Sequence, residues 1–272
     1  MMAATKILSL LLLLAFDVNG FSSVPSMNSR RPTTMITLAI RSQSPPEWLS
    51  KINPPVMATY ATLIAFTIFV SPGSYNSDSD MQLIKDCISS PTAPGSNINH
   101  LWFIIWNFFP VASILLASLI LPGDEKKQAT PFLFGSVFAG YFALGPHLMF
   151  REPSSDIVKQ SEIGWVTRNI FENKVFAALL LLFSCSTIVN SSIGIDVVGG
   201  SFPTILSDYI TQASTSKIIS TGSADLFCLL ATCNLLIKED AVRRNGGGFE
   251  WLQFLPIFGP LIWLLVRPNL KS

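Results

Sequence analysis

The chain has 272 residues, of which 49% are hydrophobic and only 13% are charged, and its mean hydropathy is +0.47. Soluble domains carry roughly 25% charged residues, so this composition argues against a water-soluble fold. The net charge is +1 without a basic run, which argues against a nucleic-acid partner. The four cysteines show neither a metal-binding spacing nor a disulfide framework. We therefore expect an all-α polytopic membrane bundle without a metal site.

The first 45 residues carry two targeting patterns in tandem. Residues 1–20 form a predicted signal peptide, in which Lys6 precedes an apolar stretch that is too short to span a bilayer. Residues 21–45 contain arginines among many serines and threonines but no acid, which is typical of a plastid transit segment. An ordinary secretory signal followed by a disordered linker is the alternative. The tandem resembles the bipartite leader of proteins sent to complex plastids in diatoms and related algae, which implies a thylakoid or inner-envelope membrane.

Residues 46–272 are predicted to form one membrane domain of about six transmembrane helices. The six apolar segments are residues 54–70, 101–121, 131–150, 175–195, 217–238 and 251–266. In the third segment Gly135, Ala139 and Ala143 are spaced by four residues, and this stripe predicts the close approach of a neighbouring helix. Six spans would place both mature termini on one side, but the lysines and arginines do not decide which side that is.

Two shorter features flank the fifth segment. Between the fourth and fifth segments Phe202, Ile205 and Ile210 predict a short interfacial helix. In the sixth segment Pro256 and the pair Gly259-Pro260 predict a bent or broken helix, because proline removes a backbone donor and clashes with the preceding turn.

Asp225 is the strongest pointer to function in the sequence, because it is an acid well inside the fifth apolar segment. At about 1.5 Å per residue it lies roughly 12 Å from Lys217, and the Gly259-Pro260 break falls at the same depth if six helices cross. We therefore predict that Asp225 faces this break, with Tyr141, Ser113 and Thr187 as alternative partners. A structural acid that joins two helices and a ligand, proton or substrate site both remain open.

A second polar layer is predicted from Asn107, His147 and Asn234. The two asparagines are expected to join helices through hydrogen bonds. His147 is either an interfacial histidine that satisfies a carbonyl freed by Pro146 or a ligand for chlorophyll magnesium. The chain has only two histidines and lacks a phosphate loop, so no catalytic residue is predicted.

The C-terminal third resembles a family of multi-pass plastid membrane proteins from plants and algae that is related to a cyanobacterial family of unknown function. Members share an acid early in the fifth span and an acid 15 residues later, which match Asp225 and Asp240. They also share the closing pattern P-x-x-G-P-x-x-x-x-x-x-R-P, matched here by Pro256, Gly259, Pro260, Arg267 and Pro268. The stretch TPFLFGSVFAGYFALGPHLMFREP is similar to the third span of that family. The resemblance implies a plastid membrane protein and brings no reaction with it.

A more distant resemblance is to the plant neoxanthin synthase family, which has a D-L-F near the start of a span. Asp225, Leu226 and Phe227 match that tripeptide. The family also has a histidine-aspartate pair at the end of the span, whereas a glutamate precedes Asp240 here. This resemblance implies a carotenoid-modifying membrane enzyme.

The sequence therefore leaves three functions as expectations. The first is a structural, assembly or accessory protein that contacts the lipid bilayer and photosynthetic membrane complexes, with chlorophyll or carotenoid as the pigment it would meet. The second is the carotenoid-modifying enzyme. The third is a transporter of a small solute or ion that uses the broken sixth helix.

Overall fold

The computed structural model describes residues 52–124, 129–152, 157–198, 202–246 and 248–270, and within them the fold is all-helical. The predicted signal peptide and transit segment lie outside these residues. The α-helices, in chain order, are α1 (Pro54–Ala65), α2 (Asp78–Ser89), α3 (His100–Asp124), α4 (Ala129–Phe150), α5 (Lys174–Val198), α6 (Phe202–Ala213), α7 (Lys217–Arg243) and α8 (Phe258–Val266).

Helices α3 and α7 form the centre of the bundle and run parallel to each other. Near their first turns, a side chain on Gly222 would meet the ring of Trp102 at 2.9 Å, so the two helices approach closely there. Near their last turns, Arg243 Nη2 donates to the carbonyl of Leu119 at 2.5 Å. We name the end that holds Arg243 the arginine end, and the end where α7 begins, after its N-cap Ser216, the serine end.

Helix α5 runs in the opposite direction to α3. At its start Lys174 Nζ donates to the carbonyl of Arg267 at 2.6 Å, at the arginine end. Further along, the carbonyl of Ser191 lies 2.9 Å from Nδ1 of His100, the first residue of α3. Helices α3, α5 and α7 therefore all join the two ends of the bundle.

Helix α4 is a hairpin rather than a straight rod. Gly140 has a non-helical backbone conformation in its middle. The rings of Phe132 and His147 stack at 5.3 Å, although 15 residues would separate them by about 22 Å along a straight helix. A side chain on Gly135 would likewise meet Ala143 Cβ at 3.1 Å. The small-residue stripe therefore does permit a close approach, but the neighbour is the other half of the same helix.

Both ends of the α4 hairpin lie at the arginine end. Arg151, just after the helix, donates through Nε to Asp124 at the end of α3. The chain thus enters the bundle at the arginine end, turns at Gly140 and returns to the end it came from. We call residues 129–139 and 141–150 the first and second halves of the hairpin.

Helix α1 and its π-helical extension, Phe66–Val70, also join the two ends. The helix begins after the N-cap Asn53, whose backbone N–H donates to the carbonyl of Met149 at 2.8 Å. Beyond the extension, the hydroxyl of Ser71 lies 2.7 Å from that of Ser220 at the serine end. Lys217 Nζ then caps the π-helical turn by donating to the carbonyls of Thr67 and Ser71 at 3.0 Å.

The C-terminal segment leaves the arginine end and comes back to it. A 3₁₀ helix, Glu250–Phe254, is followed by α8, and Ile257 between them has a φ of 67°. Arg244 Nη1 donates to the carbonyl of Pro268 at 2.8 Å, which closes the loop. The expectation of a broken helix in this segment is confirmed, but the break lies before Phe258, and Gly259 and Pro260 belong to the first turn of α8.

The prediction of six crossing helices is not confirmed. Within the described residues, four helices, α3, α4, α5 and α7, are long and apolar enough to cross a membrane, and α1 with its extension is a shorter apolar helix. The third predicted span, α4, doubles back, and the sixth contains a nine-residue helix. Apolar length alone could not distinguish a crossing helix from a hairpin, because both are equally apolar.

Candidate functional site

Asp225 lies at the tip of the α4 hairpin. Its side chain is 3% exposed, and Oδ1 accepts the backbone N–H of Tyr141 at 2.7 Å, with Phe142 N–H as a further donor. These are the first amides of the second half of the hairpin, and the first amides of any helix lack partners within it. The N-terminal end of a helix also carries partial positive charge. Asp225 therefore caps a half-helix inside the bundle and neutralises its positive end.

Gly140 makes this contact possible. Its φ of 55° and ψ of −136° belong to a region that is essentially restricted to glycine. A Cβ at this position would also overlap the carboxylate of Asp225, with Oδ2 as the nearest atom. Both the turn of the hairpin and the approach of the carboxylate therefore require glycine.

Tyr60 of α1 holds the same half-helix from another side. Pro146 has no N–H, so the carbonyl of Phe142 loses its helical partner. Tyr60 donates its hydroxyl to that carbonyl at 3.3 Å, and its ring lies where a side chain on Gly145 would be. The prediction that His147 satisfies the freed carbonyl is wrong, because the tyrosine occupies that position.

The predicted pairing of Asp225 with the Gly259-Pro260 break is replaced by the hairpin contact. The Gly259 N–H already donates to the carbonyl of Leu255 at 2.9 Å, and Pro260 has no N–H to offer. Tyr141, one of the three alternative partners, is the residue that Asp225 meets, through its backbone. The predicted partner was wrong because the common depth of Asp225 and Gly259-Pro260 required every apolar segment to cross the membrane.

Asn107, His147 and Asn234 do not form one layer. His147 Nε2 lies 3.8 Å from Asp124 Oδ2 at the arginine end. Asn107 is 17 residues before Asp124 in α3, about 26 Å away along the helix, and donates to its own helix at the carbonyl of Phe103 at 2.9 Å. Asn234 Oδ1 is buried and has no hydrogen-bond partner among the described residues. The layer was predicted by treating α4 as straight, and the hairpin brings His147 back to the end where α4 began.

A second polar constellation fills the arginine end, and of its members the sequence patterns singled out only Asp240 and Arg267. We name it the arginine cluster; its members are Arg151, Arg243, Arg244, Arg267, Asp124, Glu172, Glu239 and Asp240. Four arginines thus face four acids, and the side chains come from α3, α7 and the segments that follow α4, α7 and α8 or precede α5.

Asp240 is the centre of the arginine cluster and is 0% exposed. Its Oδ2 accepts from Arg244 Nε at 2.8 Å, from Trp263 Nε1 at 2.8 Å and from Arg267 Nη1 at 3.2 Å. A buried carboxylate needs such compensation, because removing a charge from water costs several kcal/mol. Asp240 and Arg267, two residues of the family pattern, are therefore direct partners.

Two arginines make forked pairs with glutamates. Arg151 donates through Nη1 and Nη2 to the carboxylate of Glu239, and Arg244 does the same to Glu172 at 2.7 Å on both sides. Burial lowers the pKa of Arg151, but Glu239 and Asp124 outweigh this effect and hold its pKa above the ordinary value. These forks fix orientation as well as charge, because guanidinium and carboxylate are both planar.

The remaining two arginines cap the end of α3. Pro122 lacks an N–H, which frees the carbonyl of Ser118, and Arg267 Nη1 donates to that carbonyl at 3.1 Å. Arg243 donates to the next carbonyl, that of Leu119, while its Nε and Nη1 have no hydrogen-bond partner in the part of the chain that the structure describes. The arginine cluster therefore satisfies a helix end that its own proline leaves open.

The sequence contained a signal for this cluster. The spans end or begin at arginines and acids rather than at lysines alone, and arginine is the residue that suits buried ion pairs. The signal was lost because six crossing helices would place Asp124 and Arg151 on opposite sides. No group of three His, Cys, Asp or Glu side chains within the described ranges is arranged to hold a metal ion.

Comparison of the chain with protein-family models, with curated proteins and with solved structures gives no match. What the chain does must therefore follow from its own residues.

Proposed function

We propose that this chain is a multi-pass integral protein of a plastid membrane with a structural, assembly or accessory role. The observation that carries the proposal is that the buried acids find their partners within the same chain. Asp225 caps a half-helix of the same chain, and the acids of the arginine cluster pair with arginines of the same chain. Buried charges at a substrate site are usually left available to the substrate, whereas the buried charges of this chain join its own helices.

The outer surface supports the same proposal. Large apolar side chains are exposed on the long helices and on the extension of α1, among them Phe69, Phe138, Leu182, Phe227 and Leu235. Such a surface suits lipid or the apolar helices of a membrane complex. The plastid location is supported by the leader composition and by the family resemblance.

Purification from native membranes tests this function. The tagged chain, solubilised in mild detergent, should migrate with a larger assembly of defined size rather than at the size of a single chain with its micelle. Deleting the gene should lower the amount of that assembly and leave the xanthophyll composition unchanged. A solitary chain together with an altered xanthophyll profile would instead support the carotenoid-modifying enzyme.

Ion or proton transport is the second candidate, and the α4 hairpin favours it. Discontinuous helices whose ends meet inside the bilayer form the ion and substrate sites of many transporters. Here such a half-helix end meets the carboxylate of Asp225, and the side chains of Tyr141 and Thr232 interact with each other nearby. A site of this composition suits a proton or a small cation.

Flux measurements separate the two candidates. The chain in vesicles loaded with a pH-sensitive dye should dissipate an imposed pH gradient if it carries protons, and a sodium or potassium gradient if it carries cations. Asp225→Asn is the matched variant, because its side-chain oxygen can still accept the Tyr141 N–H while the charge is lost. Loss of flux in a folded Asp225→Asn protein supports transport; no flux in the native chain leaves the structural role.

A further inference from the structure

Helix α6 is a short helix at the serine end whose surface divides into three sectors. The inner sector packs on the bundle: the carbonyl of Ile205 accepts from Asn99 Nδ2 at 3.0 Å, and the Tyr209 hydroxyl lies 2.5 Å from that of Ser223. This contact holds α6 against the first turns of α3 and α7. The rest of its surface is exposed.

The second sector of α6 is apolar and exposed. Phe202, Leu206 and Ile210 follow each other at intervals of four residues, with exposed fractions of 57%, 38% and 57%. At 100° per residue they lie within an arc of about 80°. Nothing in the described part of the chain covers them, and three large side chains in a row on water would be unfavourable.

The third sector of α6 is polar. Ser207, Asp208 and Thr211 are exposed, and their mean direction is about 145° from that of the apolar arc. A helix surrounded only by water, or only by protein, would not need separate apolar and polar sectors. A helix lying along a membrane surface does need it, because one edge meets acyl chains and the opposite edge meets water.

We propose that α6 lies in the headgroup layer of the bilayer at the serine end, with Phe202, Leu206 and Ile210 inserted among the acyl chains. The occupant of the apolar sector is therefore lipid, which is continuous with the lipid facing the long helices. The exposed Phe227 of α7, one helical turn beyond the α6 contact at Ser223, extends the same apolar surface toward the bilayer interior. This inference goes beyond the proposed function and holds for an accessory protein and a transporter alike.

The placement also fixes the depth of the hairpin tip. Asp225 is eight residues after Lys217, so it lies about 12 Å along α7 from the start of the helix. With α6 in the headgroup layer beside that start, the carboxylate lies in the outer half of the hydrocarbon core at the serine end. The hairpin therefore penetrates more than half of the membrane from the arginine end.

Spin labelling in proteoliposomes tests the placement. Single cysteines are introduced at positions 202, 206 and 210, with Ser207→Cys and Thr211→Cys as matched controls from the polar sector. Each is labelled with a nitroxide, and its collision rate is measured with oxygen, which concentrates in lipid, and with a neutral nickel chelate, which stays in water. The native chain, labelled in parallel, gives the background from its own four cysteines.

The depth parameter, the logarithm of the oxygen-to-nickel ratio, should be positive at 202, 206 and 210 and negative at 207 and 211. A negative value across all five positions would overturn the proposal, since α6 would then lie in water. Low collision rates with both reagents at 202, 206 and 210 would also overturn it, because a protein partner would cover the stripe. Every position is exposed, so retention of the native elution volume is expected and identifies any misfolded variant.

Discussion

The contact between Asp225 and the α4 hairpin makes a prediction that a double-mutant cycle can test. Asp225→Ala removes a charged acceptor from the amides of Tyr141 and Phe142. Gly140→Ala places a methyl group where the carboxylate lies and forces alanine into a backbone region that it avoids. Both changes remove the cap, so their effects on the free energy of unfolding should overlap.

The expected magnitudes follow from those two terms. Loss of the cap in Asp225→Ala should lower the free energy of unfolding by about 1.5–3 kcal/mol, the range for hydrogen bonds to charged groups. Gly140→Ala should cost the same amount for the displaced cap and about 1–3 kcal/mol more for backbone strain. In the double variant the cap is lost only once. The coupling energy should therefore be about 1.5–3 kcal/mol, in the direction of less than additive destabilisation.

Unfolding in mixed micelles of a mild detergent and SDS provides the assay, with the fluorescence of the six tryptophans as the signal. Asp225→Asn is the control, because it keeps an acceptor oxygen and should be destabilised less than Asp225→Ala. Additive effects of Gly140→Ala and Asp225→Ala, within about 0.5 kcal/mol, would refute the contact as the reason for the glycine.

Three further predictions use the same unfolding assay. Tyr60→Phe should lower the free energy of unfolding by about 1 kcal/mol, because the carbonyl of Phe142 loses its donor; an unchanged value would contradict the hydrogen bond. Asp240→Asn should lower it by about 3–5 kcal/mol, because buried arginines lose their shared partner, whereas the exposed Asp208→Asn should change it by less than about 0.5 kcal/mol. Burial raises the pKa of the Cys87 thiol from 9.0 to about 11, so the unfolded state ionises first and stability should fall as pH rises from 9 to 11. Cys87→Ser should remove that part of the pH dependence, and an identical pH profile in both proteins would count against the burial effect.

The resemblance to the plastid family remains a prediction, but the structure gives its residues a physical meaning. Asp225 and Asp240 are two acids on the same helix, α7. The first caps the hairpin and the second binds the arginine that closes the family pattern, Arg267. Two acids of one helix thus serve two separate tertiary contacts, about 22 Å apart along α7.

Composition and apolar runs were sufficient to predict the all-helical membrane class, the approximate positions of the long helices and the break before α8. These features depend on local chemistry, because each helix satisfies the hydrogen bonds of its own backbone inside a membrane whatever its neighbours are. The same local signals predicted a helix at residues 202–210 and identified Asp225 as an unusual acid.

Which apolar segments cross was decided only by tertiary structure. The α4 segment has the length of a span, yet a single glycine with a positive φ and a carboxylate from another helix turn it back on itself. That turn brings Arg151 to Asp124 and so assembles the arginine cluster from residues that a straight helix would have kept apart. The sequence by itself therefore determined the helices and their apolar faces, whereas the path of the chain through the bilayer depended on contacts between residues distant in the sequence.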